Sequence, residues 1–166
     1  AGLVGITKYD NRWEYSNKFS DISLQSYPPE IPENLKNVIV IALPMDYDLV
    51  KTVPSALSGS ATGLGYSHDA LTVLSITQYI RNLGYKAIGS MNDTSLAIPY
   101  AIQAGLGEYG RNGLLITQKY GPRVRLGKIY TNLDLNHDKP INFGVKEFCN
   151  ICNIDLPSGY QRSFQK

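Results

Sequence analysis

The sequence predicts a domain of the α/β class, of the α+β kind, in which one central sheet is flanked by helices. Residues 38–43 are a short β-branched apolar run that ends at Pro44, which is typical of a strand buried on both faces. Apolar side chains recur at helical spacing between residues 73 and 83, and residues 124–131 have the composition of a further strand. A chain of 166 residues with this mixture predicts a single domain that buries its own hydrophobic core.

The longest predicted helix follows a stretch rich in Ser, Thr and Gly at residues 51–66. Ser67 is the predicted N-cap, and Asp69 lies in the first turn, where a negative charge is favourable. One face of this helix carries Val73, Ile76, Ile80 and Leu83. Gly84 is placed to end the helix in a left-handed conformation. Under this prediction His68 is an exposed residue of the first turn.

Shorter elements complete the predicted fold. A strand is predicted at residues 86–90, and a helix at residues 96–104 is closed by Gly105. Pro99 is tolerated in this helix only within the first turn. The other predictions are strands at residues 114–117 and 124–131, a proline-rich loop at residues 27–32 and a mixed loop at residues 132–148.

The composition and the net charge limit the classes of function that are expected for this chain. The hydrophobic fraction of 43% and the charged fraction of 18% are typical of a globular domain. A net charge of +2 argues against nucleic-acid binding, for which a clustered basic face is expected. No apolar run approaches the roughly 18 residues that span a bilayer. Because the chain starts without a Met or a leader and ends on a polar tail, we expect it to be cut from a longer protein.

The sequence contains two cysteines, Cys149 and Cys152, in a CxxC arrangement. Such a pair can form a redox disulfide, half of a zinc site or the start of an iron–sulfur motif. The spacing alone leaves all three interpretations open.

Residues 105–110 match the pattern GxGxxG, but their context differs from that of a dinucleotide site. The dinucleotide fingerprint needs a strand before it and a helix after it, and here the predicted order is reversed. We expect the glycines to allow a tight turn or the close approach of a flat ligand. His68 and His137 have no second ligand at metal spacing, and GxSxG is absent, so zinc and hydrolase sites are not indicated.

Blocks of residues in series closely resemble the corrinoid- and iron–sulfur-dependent reductive dehalogenases. Singly, Tyr66, Asn92 and Arg125 would be a packing residue, a helix cap and a charge on a sheet face. The resembling blocks are residues 1–5, 66–67, 80–88, 92–94, 104–117, 120–125, 138–141 and 143–149. They follow in order with family-like spacing, and the resemblance covers residues 1–152.

The resemblance implies a nitroreductase-like core that binds a cobalamin-type corrinoid in its base-off form. It assigns residues 1–148 to this corrinoid-binding core and residues 149–166 to the truncated start of a ferredoxin-like region with two 4Fe–4S clusters. It also implies a full-length enzyme that is exported by the twin-arginine route to the outer face of the cytoplasmic membrane. A membrane anchor protein and an electron donor would be its partners, and an organohalide, by resemblance a chlorinated ethene, its substrate.

The resemblance further implies roles for individual residues. Tyr66 would donate a proton, helped by Arg125 and Asn92, and Thr62 would line the substrate pocket. The corrinoid would lie against Gly105, Leu106, Gly107, Glu108, Gly110, Arg111 and Asn112. Cys149 and Cys152 would be iron–sulfur ligands of an incomplete set, because Asp155 and Gly159 stand where further cysteines are expected. We therefore expect this chain alone to lack both clusters and to have little turnover.

Three other functions remain open at this stage. The first is a corrinoid- and iron–sulfur-dependent reductase of the epoxyqueuosine reductase type, which acts on a modified tRNA base. The second is a non-catalytic corrinoid-binding module, which would need neither Tyr66 nor Arg125. The third is an electron-transfer module, which the incomplete cysteine set disfavours.

Overall fold

The computed structural model describes residues 2–16, 18–20, 25–27 and 31–152. Within these residues the strands are β1 (Leu3–Lys8), β2 (Lys18–Ser20), β3 (Gln25–Tyr27), β4 (Asn37–Pro44), β5 (Ala87–Ser90), β6 (Glu108–Tyr109), β7 (Leu115–Ile116) and β8 (Val124–Thr131). The helices are α1 (Tyr47–Val50), α2 (Ala56–Asn82), α3 (Ala97–Gln103) and α4 (Val145–Ile151), with a short 3-10 helix at Asn11–Trp13. Asp155, Gly159 and part of the proline-rich loop lie outside the described residues.

The central sheet has four strands in the order β1-β4-β8-β5, and each neighbouring pair is antiparallel. The long β4–β8 pair sets the register, with Val38 opposite Tyr130 and Ile41 opposite Gly127. Two short ribbons, β2–β3 and β6–β7, lie outside this sheet. The predicted α+β class with a central sheet between helices is confirmed.

The sheet lies between α3 on one face and α2 on the other, which explains the continuous apolar run of β4. Side chains in a strand alternate between faces. One core joins α3 to Val38, Val40 and Ala42, and a second core joins α2 to Ile39, Ile41 and Leu43. On β8 the same alternation directs Ile129 to α2 and Tyr130 to α3.

The predicted N-cap of the long helix, Ser67, is wrong, because the N-cap of α2 is Ser55, twelve residues earlier, and the helix begins at Ala56. A capping box between Ser55 and Ser58 satisfies the first backbone N–H groups. The glycine-rich turns are then held by packing, which overrides their low helix propensity. His68 is exposed as predicted but lies in the middle of the helix. Among the described residues, no helix combines the length and hydrophobicity of a bilayer-spanning segment.

The structure differs from the prediction at three further elements, α4, β1 and β7. Helix α4 begins at Val145, inside the stretch predicted to be a loop, after Gly144 in a left-handed conformation with φ 93°. Strand β1 was not predicted, because residues 1–37 are dominated by polar and turn residues, yet it pairs with β4 over six residues. The predicted strand at residues 114–117 shrinks to β7 and pairs with β6 rather than with the central sheet.

Other predictions agree with the structure. The strands β4, β5 and β8 and the helix α3 lie within one residue of the predicted ranges. Pro99 is the third residue of α3, inside the first turn as predicted. Gly84 and Gly105 have φ of 90° and 69°, the left-handed conformation expected after a helix.

Helix α2 approaches strand β8 closely because glycine occupies the contact on both elements. A Cβ atom on Gly127 of β8 would lie 2.4 Å from Val73 Cγ2 and 2.5 Å from Asp69 Oδ1. A Cβ atom on Gly65 of α2 would lie 3.2 Å from Arg125 Cγ. The side chain of Arg125 therefore crosses a glycine on the helix, and that of Asp69 crosses a glycine on the strand.

Two charged residues near this contact are withdrawn from solvent. Asp69 is 1% exposed and Lys128 is fully buried. Burial raises the pKa of Asp69 to about 6, against the opposing charges of Lys128 and Arg125. Burial lowers the pKa of Lys128 to about 8, although Asp93 and Asp69 oppose this shift. Lys128 Nζ donates to the carbonyl oxygens of Met91 and Ser95, each at 2.6 Å.

We predict that Gly127→Ala destabilises the fold, because Val73 and Asp69 must both move to admit the methyl group. The expected cost in the free energy of unfolding is about 1–3 kcal/mol. Gly63→Ala is the matched control on α2, where a Cβ atom meets nothing within 4 Å. That variant should gain about 0.5–1 kcal/mol from helix propensity. Urea unfolding measures both, and equal stability of the two variants would contradict the proposed close contact.

We predict that Asp69→Asn gains stability relative to the wild type as pH rises. The unfolded chain loses the Asp69 proton near its ordinary pKa of 3.8, whereas the folded chain keeps it until about pH 6. Between these values the wild type loses free energy of unfolding, on the order of 1–2 kcal/mol, and the variant does not. Urea unfolding at about pH 4.5 and 7.5 measures this. The exposed Asp134→Asn is the control, and a pH-independent difference between Asp69→Asn and the wild type would refute the prediction.

Candidate active site

The contact between Tyr66 and Arg125 joins the helix α2 to the strand β8. Arg125 Nη1 donates to Tyr66 Oη at 3.1 Å, and the guanidinium carbon lies 4.2 Å from the centre of the tyrosine ring. Arg125 is on the face of β8 that meets α2, and Gly65 leaves room for its side chain beside Tyr66. Residues 59 positions apart in the chain thus form one polar pair.

Asn92 lines the same cavity as Tyr66. The cavity measures about 550 Å³ and is bounded by Tyr66, Ala70, Val73, Leu74, Gly89, Ser90, Met91, Asn92 and Asp93. Its walls come from α2, from the end of β5 and from the segment after β5. Lys128 holds this segment by bonds to two of its carbonyl oxygens, and Ser90 Oγ donates to Asp93 Oδ1 at 2.9 Å. Asn92 therefore borders the cavity from the segment after β5, and Tyr66 borders it from α2.

This arrangement is suited to the delivery of one proton into an apolar cavity. A phenol is a weak acid, and a guanidinium group beside it stabilises the phenolate that remains after proton transfer. Tyr66 keeps 38% of its surface exposed and lines the cavity. Ala70, Val73, Leu74 and Met91 form the apolar part of the wall.

Thr62 is less closely connected with this cavity. It lies one helical turn before Tyr66 on α2 and is half-buried. Among the described residues that bound the cavity, Thr62 does not occur. Its contact with a substrate stays a prediction.

Part of the glycine-containing segment borders a second cavity, of about 560 Å³. This cavity is bounded by Gly110, Arg111, Asn112, Ile116, Pro122, Phe143, Gly144, Val145, Phe148, Cys149 and Cys152. Arg111 Nη2 donates to Asn150 Oδ1 at 2.7 Å, which ties the segment to helix α4. The structure thus brings three of the predicted cofactor contacts together with both cysteines.

The remaining predicted cofactor contacts are engaged within the protein. Leu106 is part of the core, and a Cβ atom on Gly107 would lie 2.3 Å from the carbonyl oxygen of Ile116. Gly105 closes α3. Glu108 Oε2 accepts the backbone N–H groups of Phe143 at 2.6 Å and Val145 at 3.3 Å. These four residues therefore have roles in the fold that do not depend on a cofactor.

Cys149 on α4 and Cys152 at its C-cap supply half of an iron–sulfur ligand set. Cys149 and Cys152 are free thiols, both half-buried, and both face the second cavity. A 4Fe–4S cluster is held by four thiolates. Within the described part of the chain, no three His, Cys, Asp or Glu side chains are grouped closely enough to hold a metal ion. These residues therefore do not fit a complete cluster by themselves.

Asp69 and Lys128 are the polar residues of this region that the sequence interpretation missed as site residues. Lys128 stands out as a cation inside a strand with apolar neighbours, and Asp69 shares a helical face with the apolar Val73. A charge on a face that must be buried is the pattern that could have identified both.

The chain was compared with known proteins. A family model described as the reductive dehalogenase subunit matches residues 21–135. The tetrachloroethene reductive dehalogenase of Dehalobacter restrictus is 41% identical over 186 residues, which cover 92% of this chain and 34% of that protein. The epoxyqueuosine reductase of Lactococcus garvieae is 40% identical over 65 residues, or 38% of this chain and 17% of that protein. The chain spans about a third of the length of the tetrachloroethene enzyme.

A solved structure supports the same relationship at the level of the fold. It is a reductive dehalogenase structure said to suggest a mechanism for B12-dependent dehalogenation, with a TM-score of 0.79 and 24% identity. The similarity covers 90% of this chain and 21% of that one. Because the family model matches more than half of the chain, and the fold agrees, the chain belongs to the reductive dehalogenase family.

Proposed function

We propose that this chain is the proton-delivering part of a reductive dehalogenase that replaces halide by hydrogen on an organohalide. The observation that carries the proposal is the contact between Tyr66 Oη and Arg125 Nη1 beside the cavity that Asn92 also lines. Since the chain spans about a third of a relative such as the Dehalobacter enzyme, the activity is proposed for the full-length protein.

The proposed reaction consumes two electrons and one proton for each carbon–halogen bond that is broken. The carbon keeps the electron pair that forms the new C–H bond, and the halogen leaves as halide. Tyr66 provides the proton, and the positive charge of Arg125 stabilises the resulting phenolate. The amide of Asn92, which lines the same cavity, is available to hydrogen-bond the substrate or the phenol. The phenolate then takes a proton from solvent through its exposed side.

A base-off corrinoid is the proposed cofactor, and when bound it supplies the electrons that break the carbon–halogen bond. Gly110, Arg111 and Asn112 are the residues proposed to contact such a ring, and the side chains of Arg111 and Asn112 would be available to its amide substituents. The related enzyme with the same fold is described as B12-dependent. The iron–sulfur clusters, export and membrane anchor inferred from the family stay predictions for the full-length protein.

A chlorinated ethene is the proposed substrate. The relative that is 41% identical to this chain is named a tetrachloroethene reductive dehalogenase. The apolar side chains of the first cavity suit a small molecule without hydrogen-bonding groups, whose binding depends on burial of apolar surface.

Epoxyqueuosine reduction is the second candidate function. It is favoured by the 65-residue segment that is 40% identical to an epoxyqueuosine reductase. A tRNA substrate requires cationic contacts to phosphates, and the net charge of +2 provides little excess of cations. Parallel assays of the full-length protein with tetrachloroethene and with an epoxyqueuosine-containing stem loop distinguish the two, since each function predicts turnover of one substrate alone.

We predict that Tyr66→Phe abolishes halide release by the full-length, corrinoid-reconstituted protein. Loss of the proton donor should lower the rate by roughly 10²-fold or more, with unchanged corrinoid content. Tyr79→Phe, on the same helix and exposed to solvent, is the matched control and should keep wild-type activity. Chloride release with reduced viologen measures the rate. Full activity of Tyr66→Phe would exclude this residue as the proton donor.

We predict that Lys128→Met loosens the segment that carries Asn92. The substitution leaves the carbonyl oxygens of Met91 and Ser95 without their buried donor, which favours local opening toward water. Amide hydrogen exchange between residues 91 and 95 should accelerate by about tenfold or more, while exchange in β4 stays slow. Lys86→Met, an exposed position, is the control. Unchanged exchange in Lys128→Met would show that other contacts hold the segment.

A further inference from the structure

A buried carboxyl group lies behind the Tyr66–Arg125 pair, and the proposed reaction leaves it without a role. Asp69 follows Tyr66 by three residues on α2, so both side chains lie on the helical face that meets β8. Asp69 is 1% exposed, and its Oδ1 atom accepts no hydrogen bond from the described residues. Arg125 Nε is likewise buried and donates to none of them. Two orphaned atoms of opposite charge therefore flank the same helix–strand contact.

Asp69 occupies space that a glycine on β8 leaves open. Its carboxyl group lies over Gly127, where any Cβ atom would come within 2.5 Å of Oδ1. Arg125 passes over Gly65 in the same contact. A buried carboxyl oxygen without a hydrogen bond normally destabilises a fold. Gly127 leaves the space that the carboxyl group of Asp69 occupies, and Gly65 leaves the space that Arg125 occupies beside it.

The charged groups around Asp69 come from few elements. Arg125 lies on the face of β8 that meets α2, whereas Lys128 lies on the opposite face of the sheet, and the positive charges of both oppose the effect of burial on the pKa of Asp69. Asp93, after β5, acts on Lys128 rather than on Asp69. The strands β4 and β5 contain no titratable side chain. Asp48 on α1 is exposed and paired with Lys51.

We propose that Asp69 is a positioning residue that acts on Tyr66 through Arg125. Asp69 and the guanidinium group form one electrostatic unit, so that protonation of Asp69 changes the positive potential that Arg125 presents to the phenol. The importance of this unit for turnover rests on the proposed function of Tyr66 as proton donor. The electrostatic coupling itself is a property of the chain and requires no cofactor.

The direction of the effect follows from the charges. When Asp69 is ionised, its negative charge offsets part of the field of Arg125, and the phenolate form of Tyr66 is stabilised less. When Asp69 is protonated, the guanidinium charge acts on the phenol undivided. Since burial raises the pKa of Asp69 to about 6, this change occurs near pH 6 rather than at the acid extreme. The coupling is reciprocal, so Arg125 must also affect the ionisation of Asp69.

The test uses the 166-residue chain labelled with ¹³C at tyrosine Cζ and aspartate Cγ. In the wild type, the Tyr66 Cζ resonance should shift in a step whose midpoint equals that of the Asp69 carboxyl carbon, near pH 6. Arg125→Gln should abolish the step at Tyr66 and raise the Asp69 midpoint, because a charge that lowers it is lost. Arg123→Gln is the matched control, since Arg123 donates to the carbonyl oxygen of Met45 instead, and it should preserve both observations.

Two results overturn the proposal. One is the absence of a step at Tyr66 in the wild type while Asp69 titrates. The other is an unchanged step in Arg125→Gln, which would mean that Asp69 does not act through the guanidinium group. If Arg125→Gln fails to fold, Arg125→Lys is the second variant. It retains the positive charge, which transmits the effect, so the step at Tyr66 should persist. Loss of the step in Arg125→Lys would also overturn the proposal.

A kinetic experiment on the full-length enzyme completes the test. Wild-type kcat for halide release should decline by about threefold to tenfold as pH rises through 6, and Asp69→Asn should remove this inflection. Asp134→Asn, an exposed carboxyl on the loop after β8, should retain it. A wild-type profile that is flat through pH 6 would refute the kinetic part. If the resonances are coupled but Tyr66→Phe remains active, the electrostatic unit stands and the proposed function fails, so the two failures are distinguishable.

Discussion

The close approach of α2 to β8 is the constraint on which the rest of the site depends. Glycine at position 65 of the helix and at position 127 of the strand removes the side chains that would hold these elements apart. Tyr66 and Arg125 can then meet at 3.1 Å, although they are distant in the chain. The same approach places Asp69 against the sheet and closes one wall of the cavity that Asn92 lines. The contact between α2 and β8 therefore contributes both to the packing of the domain and to the geometry of the candidate site.

Buried charge is the cost of this arrangement. Asp69 and Lys128 are withdrawn from water, and burial shifts the pKa of each toward its neutral form. For Lys128, two short hydrogen bonds to the carbonyl oxygens of Met91 and Ser95 offset part of the desolvation cost. Asp69 Oδ1 finds no such bond among the described residues. In such a medium of low polarisability the fields of the remaining charges are strong.

The segment from Gly105 to Asn112 contributes both to the fold and to the wall of the second cavity. Its first half belongs to the fold, since Leu106 lies in the core and Glu108 accepts the N–H groups that begin α4. Its second half borders the cavity that contains both cysteines. This explains how a glycine pattern that resembles a dinucleotide fingerprint can serve another purpose. Gly105 and Gly107 permit close contacts with backbone atoms, and Arg111 links the segment to the cysteine-bearing helix.

The sequence by itself determined the family, the strands β4 and β8, the helix α3 and the identity of Tyr66, Asn92 and Arg125 as candidates. These follow from local apolar patterns and from blocks of residues in series, which need no knowledge of distant contacts. The tertiary structure alone decided where α2 and α4 begin and where β1 pairs, because each depends on partners far away in the chain. It also showed that Asp69 and Lys128 are buried and that Asp69 Oδ1 accepts no hydrogen bond from the described residues, because both facts depend on how the helices pack on the sheet. Short-range propensity is weak compared with the energies of packing and desolvation, and for that reason local pattern fails at these positions.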